Sequence, residues 1–163
     1  MHHILYYQSP IGVLEIKEEN NCIVGVRRMG ESEEILQTEE EGTCSTLLAK
    51  ARTELTEYFS GTRTTFRLPI AFTTGTPFQN SVWNALRDIP YGETCSYEDI
   101  AAAIGNPKAV RAIGQANKKN PLLLLVPCHR VINKNGSIGG FACGVEIKEQ
   151  LLQLERETKG GLP

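Results

Sequence analysis

The feature that most constrains the fold is an uninterrupted apolar run that ends in proline, cysteine and histidine. Residues 122–126 read LLLLV, and PCHR follows at once. A short apolar run of this kind is typical of a strand that is buried on both faces. We therefore predict a buried strand over residues 122–126, a bend at Pro127, and a cysteine, Cys128, that is held rigidly while its thiol faces a cavity.

Cys128 is the candidate nucleophile of the chain. The reactive form of cysteine is the thiolate, which nearby positive charge and a histidine partner favour. Neighbouring residues of a strand point to opposite faces, so Cys128 and His129 cooperate only if the chain bends or a water relays the proton. The alternative is that Cys128 is a small buried apolar residue, which is the commoner state of a free cysteine.

Cysteine usage and hydropathy bear on the compartment. Five cysteines without regular spacing argue against a disulfide framework and for a reducing environment. No apolar stretch approaches the roughly 18 residues of a membrane helix. The N-terminus also lacks the basic and apolar regions of a secretory signal. We therefore expect a cytoplasmic protein without a membrane segment.

Basic residues are concentrated in one part of a chain whose net charge is -2. Residues 100–145 contain no acidic residue. A positive block in a mildly acidic protein is the charge pattern expected for a polyanion partner, although a solvated basic face would look the same. The basic residues of this stretch are Lys108, Arg111, Lys118, Lys119, Arg130 and Lys134.

The N-terminal part predicts a small α/β unit. Residues 4–8, 11–17 and 22–28 are rich in β-branched and apolar residues, with turn residues between them. An amphipathic helix is predicted over residues 46–59. This part of the sequence shows no nucleophile, metal cluster or phosphate loop.

The C-terminal part is predicted to be mostly helical after a linker, TTGTP. A helix is expected over residues 78–87, and a capping box from Ser96 to Asp99 opens a short helix that reaches Ile104. Asn106-Pro107 is expected to cap a further helix that ends near residue 117. Two short helices joined at a glycine, the second one basic, indicate a helix-turn-helix, although such pairs also occur as plain packing units.

The last predicted helix, residues 145–157, directs Ile147, Leu151 and Leu154 inward. Glu155 follows Leu151 by four residues, which places its carboxylate at the edge of the buried stripe. There it would orient His129 and stabilise the charged imidazole, as the third member of a triad does. A solvated glutamate fits the spacing as well.

The residues around Cys128 resemble the active-site signature of the O6-alkylguanine-DNA alkyltransferases, also called methylated-DNA–protein-cysteine methyltransferases. The signature is VPCHRVI at residues 126–132, and the resemblance covers residues 77–157. Further matches are FQNSVW at 78–83, IPYGET at 89–94, NPKAVRA at 106–112, NP at 120–121 and KEQLL at 148–152. The N-terminal part matches more loosely, through SPIG at 9–12 and YFSG at 58–61.

The resemblance implies an α+β fold in two domains. A small α/β, ribonuclease H-like support domain spans residues 1–72, and a linker spans 73–77. A helical, winged-helix-like domain with the helix-turn-helix and the active site spans residues 78–163. We expect this domain to bind DNA through a recognition helix in the minor groove.

The resemblance also implies DNA repair by stoichiometric transfer of an alkyl group, chiefly methyl, from O6 of guanine to Cys128. O4 of thymine is a further expected substrate. The thioether product has no good leaving group, so one molecule repairs one lesion. The implied partner is double-stranded DNA that contains O6-alkylguanine, and we expect a monomer that needs no metal and no other cofactor.

Individual positions take roles from the resemblance. Cys128 is the implied alkyl acceptor, His129 draws its proton through a water, and Glu155 holds the imidazole. Asn120 is implied to brace the turn that carries the site. Tyr97 is implied to help the damaged nucleotide rotate out of the duplex and to donate a hydrogen bond to the departing base.

Other positions are implied to contact the nucleic acid. Arg111 would fill the gap that the rotated nucleotide leaves, and the further expected DNA contacts are Lys108, Ala109, Lys118 and Arg130. Main-chain groups of Cys128, Val131, Phe141 and Ala142 are expected to contact the guanine edge. Two positions depart from the family pattern, since Phe141 replaces a common Tyr and Cys143 replaces a frequent Gly beside the expected pocket.

Three other functions fit parts of this pattern. A non-catalytic lesion-binding relative would lack the acceptor cysteine, which is present here. A helix-turn-helix regulator would bind duplex DNA by sequence and transfer no alkyl group. A cysteine hydrolase built on Cys128 and His129 would turn over repeatedly on a peptide or ester, whereas the transferase stops after one equivalent.

Overall fold

The computed structural model describes residues 2–30, 45–141 and 143–161. The chain packs as two compact units. The first consists of Met1–Thr73 with Pro121–Leu123, and the second consists of Thr74–Asn120 with Leu124–Pro163. Strands dominate the first unit and helices the second, which confirms the predicted α+β class.

The first unit is built on a three-stranded antiparallel sheet with strand order β1-β2-β3. The strands are β1 (His2–Ser9), β2 (Gly12–Glu19) and β3 (Cys22–Arg28). Asn20 and Asn21 both adopt left-handed φ values, 50° and 62°, which asparagine tolerates better than most residues. This two-residue turn lets β3 follow β2 directly, so the three predicted strands are confirmed.

One helix, α1 (Thr46–Phe59), packs against β1 and β2. It begins where predicted because the Ser45 side chain accepts a hydrogen bond from the amide of Leu48. Two segments from elsewhere in the first unit pair with β3. The Ile23 amide donates to the Pro69 carbonyl and the Val26 amide donates to the Pro121 carbonyl, so the backbone groups along β3 find partners.

The second unit consists of helices and a pair of two-residue strands. Helices α2 (Pro77–Leu86), α3 (Tyr97–Ala103) and α4 (Val110–Lys118) pack together. Trp83 is buried, and its indole N–H donates to the Ala116 carbonyl at 2.8 Å, which joins α2 to α4. The strands β4 (Cys95–Ser96) and β5 (Val131–Ile132) pair in parallel. Helix α5 (Val145–Gly161) packs on the short 3-10 turn, Cys128–Arg130, that directly precedes β5.

Side-chain capping sets the starts of α1, α2 and α3, but not that of α4. The predicted capping box is present, because the Ser96 hydroxyl accepts from the Asp99 amide and the Asp99 carboxylate accepts from the Ser96 amide. The predicted cap at Asn106-Pro107 is wrong. The Asn106 carbonyl instead closes a turn with the amide of Ala109, and α4 begins only at Val110.

The strand predicted over residues 122–126 is also wrong. Leu122 bridges Val26, but Leu124 then adopts a φ of 71°, which turns the chain out of an extended conformation. Leu122, Leu124 and Val126 are nevertheless buried. The apolar run therefore indicated burial correctly, and its secondary structure is an irregular turn that leads into Pro127.

Candidate active site

Cys128 is the first residue of a short 3-10 turn, Cys128–Arg130, that follows Pro127. The Cys128 amide donates to the Val126 carbonyl at 2.8 Å, and the Arg130 amide donates to the Pro127 carbonyl at 3.1 Å. The bend predicted at Pro127 is therefore present. Cys128 is 3% exposed and His129 is fully buried, so both side chains are held in the core of the second unit.

Two asparagine side chains hold this turn from the end of α4. Asn120 Nδ2 donates to the Val126 carbonyl at 2.8 Å, and its side chain also hydrogen-bonds the Cys128 thiol. Asn117 Nδ2 donates to the Cys128 carbonyl at 3.3 Å. Sequence reasoning predicted the position of Asn120 and missed Asn117. The available signal for Asn117 was that it is a polar residue on the buried face of α4, directly after Ala116.

The His129 imidazole is oriented by Glu155. His129 Nε2 lies 2.6 Å from Glu155 Oε2. An ionised carboxylate only accepts hydrogen bonds, so Nε2 carries the hydrogen and Nδ1 keeps its lone pair. Nδ1 is buried and has no hydrogen-bond partner among the described residues. The neutral imidazole therefore presents a base at Nδ1, and a buried acceptor of this kind is an atom that an ordered water can satisfy.

Glu155 lies at the centre of a buried polar cluster. Besides His129, it accepts hydrogen bonds from the Gly92 amide at 3.2 Å and from Arg130 Nε at 2.8 Å and Nη2 at 3.2 Å. Burial acts to raise the pKa of Glu155, but the hydrogen bonds and charges of His129 and Arg130 hold this pKa well below its usual range. The carboxylate therefore stays ionised and fixes the imidazole.

The structure corrects the expectation that Arg130 contacts DNA. Arg130 is 7% exposed, and its guanidinium forms hydrogen bonds with Glu155 on one side. On the other side, Nη1 donates to the Ile89 carbonyl at 2.8 Å, and the guanidinium lies 5.5 Å from the centre of the Tyr91 ring. A guanidinium engaged in this way is a structural partner of Glu155 and does not reach a phosphate.

The thiol and the imidazole are both neutral in the resting site. Burial raises the pKa of the Cys128 thiol to about 11, while the Asn120 hydrogen bond and the charge of Lys148 act in the opposite direction. Burial also lowers the pKa of His129, against the influence of Glu155. Formation of a thiolate at neutral pH therefore needs a base to take its proton and a positive charge to stabilise it.

Tyr97 and the loop before α5 lie next to one another. Tyr97 begins α3 and is partly buried, and both burial and the charge of Cys128 raise the pKa of its hydroxyl. A Cβ added at Gly139 would lie 3.4 Å from the Tyr97 hydroxyl. Phe141 and Cys143, farther along this loop, are partly buried. The predicted contact residue Ala142 lies outside the described residues.

The remaining predicted residues divide between the core and the surface. Val131 is fully buried, and its amide donates to the Cys128 carbonyl, so it completes the turn at the thiol. The residues predicted to contact DNA lie on α4 and just before it. Lys108, Arg111 and Lys118 are exposed, and Ala109 is partly exposed as the N-cap of α4.

The buried face of α5 differs from the prediction. Ile147 and Leu154 are only partly buried, and the buried residues of this face are Lys148, Leu151, Leu152 and Glu155. These positions follow the i, i+3, i+4, i+7 spacing of a single helix face. Sequence reasoning missed Lys148, although its spacing from Glu155 was the signal that it shares the buried face.

Within residues 2–30, 45–141 and 143–161, no three His, Cys, Asp or Glu side chains are arranged to hold a metal ion. In the same part of the chain, every helix is too short or too polar to cross a membrane.

Two family models match the chain. Residues 77–157 match the DNA-binding domain of 6-O-methylguanine DNA methyltransferase, and residues 3–72 match the ribonuclease-like domain of the same family. Together they cover nearly the whole sequence.

Known proteins similar to this chain carry related names. The constitutive methylated-DNA–protein-cysteine methyltransferase of Bacillus subtilis is 49% identical over 96% of each chain. A methylated-DNA–protein-cysteine methyltransferase of Methanosarcina acetivorans is 44% identical over 91% of this chain and 95% of its own. Among solved structures, Mycobacterium tuberculosis OGT in complex with DNA superposes with a TM-score of 0.85 at 38% identity, over 96% of this chain and 94% of that one.

Proposed function

Since the chain belongs to the 6-O-methylguanine DNA methyltransferase family, we propose that it repairs DNA by moving an alkyl group from O6 of guanine to the sulfur of its own Cys128. The protein is a DNA-binding methylated-DNA–protein-cysteine methyltransferase, in line with its relatives. The proposal adds the acceptor residue, the lesion and the roles of the surrounding side chains.

The observation that carries the proposal is the orientation of His129. Glu155 binds the Nε2 side of the ring, which leaves Nδ1 as a buried acceptor one residue from the thiol. A water at Nδ1 would receive the Cys128 proton and pass it to the imidazole. Glu155, ionised at neutral pH, then stabilises the imidazolium that results.

The displacement balances without a further reactant. The Cys128 sulfur forms a bond to the alkyl carbon while the bond between this carbon and O6 breaks. The electron pair of the broken bond stays on the base, which takes up one proton as it leaves, so that the proton lost by Cys128 is balanced by the one gained by guanine. Tyr97, whose pKa is raised by burial, stays protonated at neutral pH and can donate a hydrogen bond to the departing guanine.

The buried thiol explains why the nucleotide must leave the duplex. The alkyl carbon on O6 lies within the base stack, so an enzyme reaches it only by extruding the nucleotide, at a cost of a few kcal/mol. Arg111 is exposed near the start of α4 and is our candidate for the side chain that fills the gap. Lys108 is exposed just before α4, Ala109 is the partly exposed N-cap of this helix and Lys118 is exposed at its end, and all three would contact the phosphates.

The remaining features of the proposal concern substrate range and context. The same displacement applies to O4 of thymine as a second substrate, and main-chain groups of Val131 and Phe141 would contact the base. We expect a monomer in the cytoplasm, with domains at residues 1–72 and 78–163 joined by a linker at 73–77. Cysteines without a disulfide bond at positions 22, 95 and 128 fit a reducing compartment.

A titration of protein against a duplex that contains O6-methylguanine tests the proposal. We expect the number of repaired lesions to reach one per protein molecule and then stop, because a thioether has no good leaving group. Cys128→Ser should repair none, and the matched control Cys22→Ser should repair one. Repeated turnover, or repair by Cys128→Ser, would overturn the proposal.

A further inference from the structure

Lys148 is a buried cation that the mechanism above does not use. It lies on α5, is fully buried, and its Nζ donates to the Gly140 carbonyl at 3.2 Å. Its own amide donates to the Gly144 carbonyl in the first turn of α5. The lysine therefore links α5 to the loop that carries Gly140 and Cys143.

Lys148 and Glu155 are seven residues apart, which is close to two helical turns, so they project from the same face of α5. This face packs on the 3-10 turn that contains Cys128. Glu155 already binds His129 and Arg130. The positive charge of Arg130 is therefore matched by Glu155, whereas Lys148, on the same face of α5, forms no salt bridge with a described residue.

A buried ammonium group is unfavourable unless a partner compensates it. The Gly140 carbonyl is the hydrogen-bond acceptor that the structure gives Lys148, and a neutral carbonyl compensates a full charge only in part. Burial accordingly lowers the pKa of Lys148 to about 8, and the negative charge of a Cys128 thiolate acts to raise it. The interaction is mutual, because the charge of Lys148 lowers the pKa of the Cys128 thiol.

The other titratable groups near the thiol do not supply a positive charge. Cys143 raises the pKa of Cys128, and so opposes thiolate formation. His129 is kept neutral by burial, and the charge of Lys148 contributes to this. Tyr97 is neutral at physiological pH. Within the described part of the site, Lys148 is thus the cation that is not already matched by a carboxylate.

We propose that Lys148 is a positioning residue for alkyl transfer, whose ammonium group stabilises the Cys128 thiolate and holds the Gly140 carbonyl in the loop beside the site. This inference rests on the proposed function, since it concerns the same thiol. In the resting protein the charge of Lys148 acts on a thiol that is still neutral. When the proton of Cys128 passes to His129, the charge of Lys148 is compensated by the sulfur that is about to attack the alkyl carbon.

Two variants separate the charge from the hydrogen bond. Lys148→Met removes both, and Lys148→Gln removes the charge while keeping an N–H donor for Gly140. Arg156→Met is the matched control, because Arg156 is an exposed cation on the same helix. Thermal unfolding of each variant checks that the fold is retained.

The first readout is the rate at which iodoacetamide alkylates Cys128, followed across pH by mass mapping. At neutral pH we expect both Lys148 variants to react about tenfold more slowly than the wild type and Arg156→Met, which corresponds to a rise of one unit in the thiol pKa. The wild-type profile should also show an inflection near the Lys148 pKa of about 8, which both variants lose.

The second readout is the single-turnover rate on a duplex that contains O6-methylguanine, which should fall in parallel. A wild-type rate in Lys148→Gln, for both iodoacetamide and methylated DNA, would overturn the electrostatic role. An unchanged pH profile in both variants would overturn it as well. A wild type that reacts with iodoacetamide at Cys128 but receives no alkyl group from DNA would refute the proposed function while leaving the Lys148 effect on the thiol measurable.

Discussion

His129 Nε2 and Glu155 Oε2 lie 2.6 Å apart, and both side chains are buried. The carboxylate does more than orient one ring, because it also accepts hydrogen bonds from Arg130 and from the Gly92 amide. The group that fixes the proposed base is therefore the group that joins α5 to two other segments of the second unit. In the proposed mechanism, catalysis and stability are thus coupled at this one side chain.

Glu155→Gln is expected to lower the free energy of unfolding by about 3–5 kcal/mol, because it leaves the Arg130 guanidinium buried without a counter-charge. Urea unfolding measures the change. Glu149→Gln, an exposed substitution on the same helix, should alter stability by less than about 0.5 kcal/mol. Equal effects of the two substitutions would show that Glu155 carries no special electrostatic role.

The stability of the protein should fall as the pH is lowered, in two steps. The pKa of His129 is lowered in the folded state, so the unfolded chain binds this proton more readily and stability is lost below the ordinary value of 6.5. The pKa of Glu155 is also lowered, so its contribution is complete above the ordinary value of 4.5 and is lost as the pH falls below it. Urea unfolding between pH 8 and pH 3 measures both steps. In Glu155→Gln the lower step should shrink, and a stability that rises on acidification would refute both assignments.

Arg130→Met tests the corrected role of the arginine. We expect a loss of about 3–5 kcal/mol in the absence of DNA, since the substitution leaves the Glu155 carboxylate buried with less compensation. Lys118→Met, which removes an exposed cation from α4, should instead preserve stability and weaken DNA binding in a salt-dependent way. Unfolding and duplex-binding measurements on both variants distinguish the roles, and the reverse pattern would restore Arg130 as a DNA contact.

Much of the site was predictable from the sequence because its residues are close in the chain or share a helical spacing. Cys128 and His129 are adjacent, and the spacing of Glu155 from Leu151 placed it beside a buried stripe. The conformation of residues 122–126 was not predictable. An apolar run shows only that the segment is buried, whereas the left-handed φ of Leu124 depends on tertiary packing. The burial of Arg130, an expected DNA contact, was not predictable for a similar reason, since its partner Ile89 lies far from it in the sequence.

Asn117 and Lys148 show a different limit of sequence reasoning. Both are polar residues on a buried helix face, where an apolar residue is the usual expectation. Their partners are main-chain carbonyls of Cys128 and Gly140. A carbonyl leaves no trace in the sequence, so the reason for burying these two side chains becomes visible only in the fold.

Arg111→Ala tests whether Arg111 fills the gap that the extruded nucleotide leaves in the duplex. Repair of O6-methylguanine in a duplex should slow on the order of tenfold to a hundredfold, because the side chain would offset part of an unstacking cost of a few kcal/mol. Reaction with a free O6-alkylguanine base should change little, since that substrate needs no extrusion. Arg52→Ala, an exposed substitution on α1, is the control, and equal losses on both substrates would exclude the gap-filling role.

The most direct test of the central claim is the mass of the intact protein after incubation with a duplex that contains O6-methylguanine. The account predicts that one methyl group replaces one hydrogen on each molecule, that peptide mapping places this group on Cys128, and that Cys128→Ser gains none. A methyl group on Cys143 instead, or repaired DNA without any gain in protein mass, would contradict it.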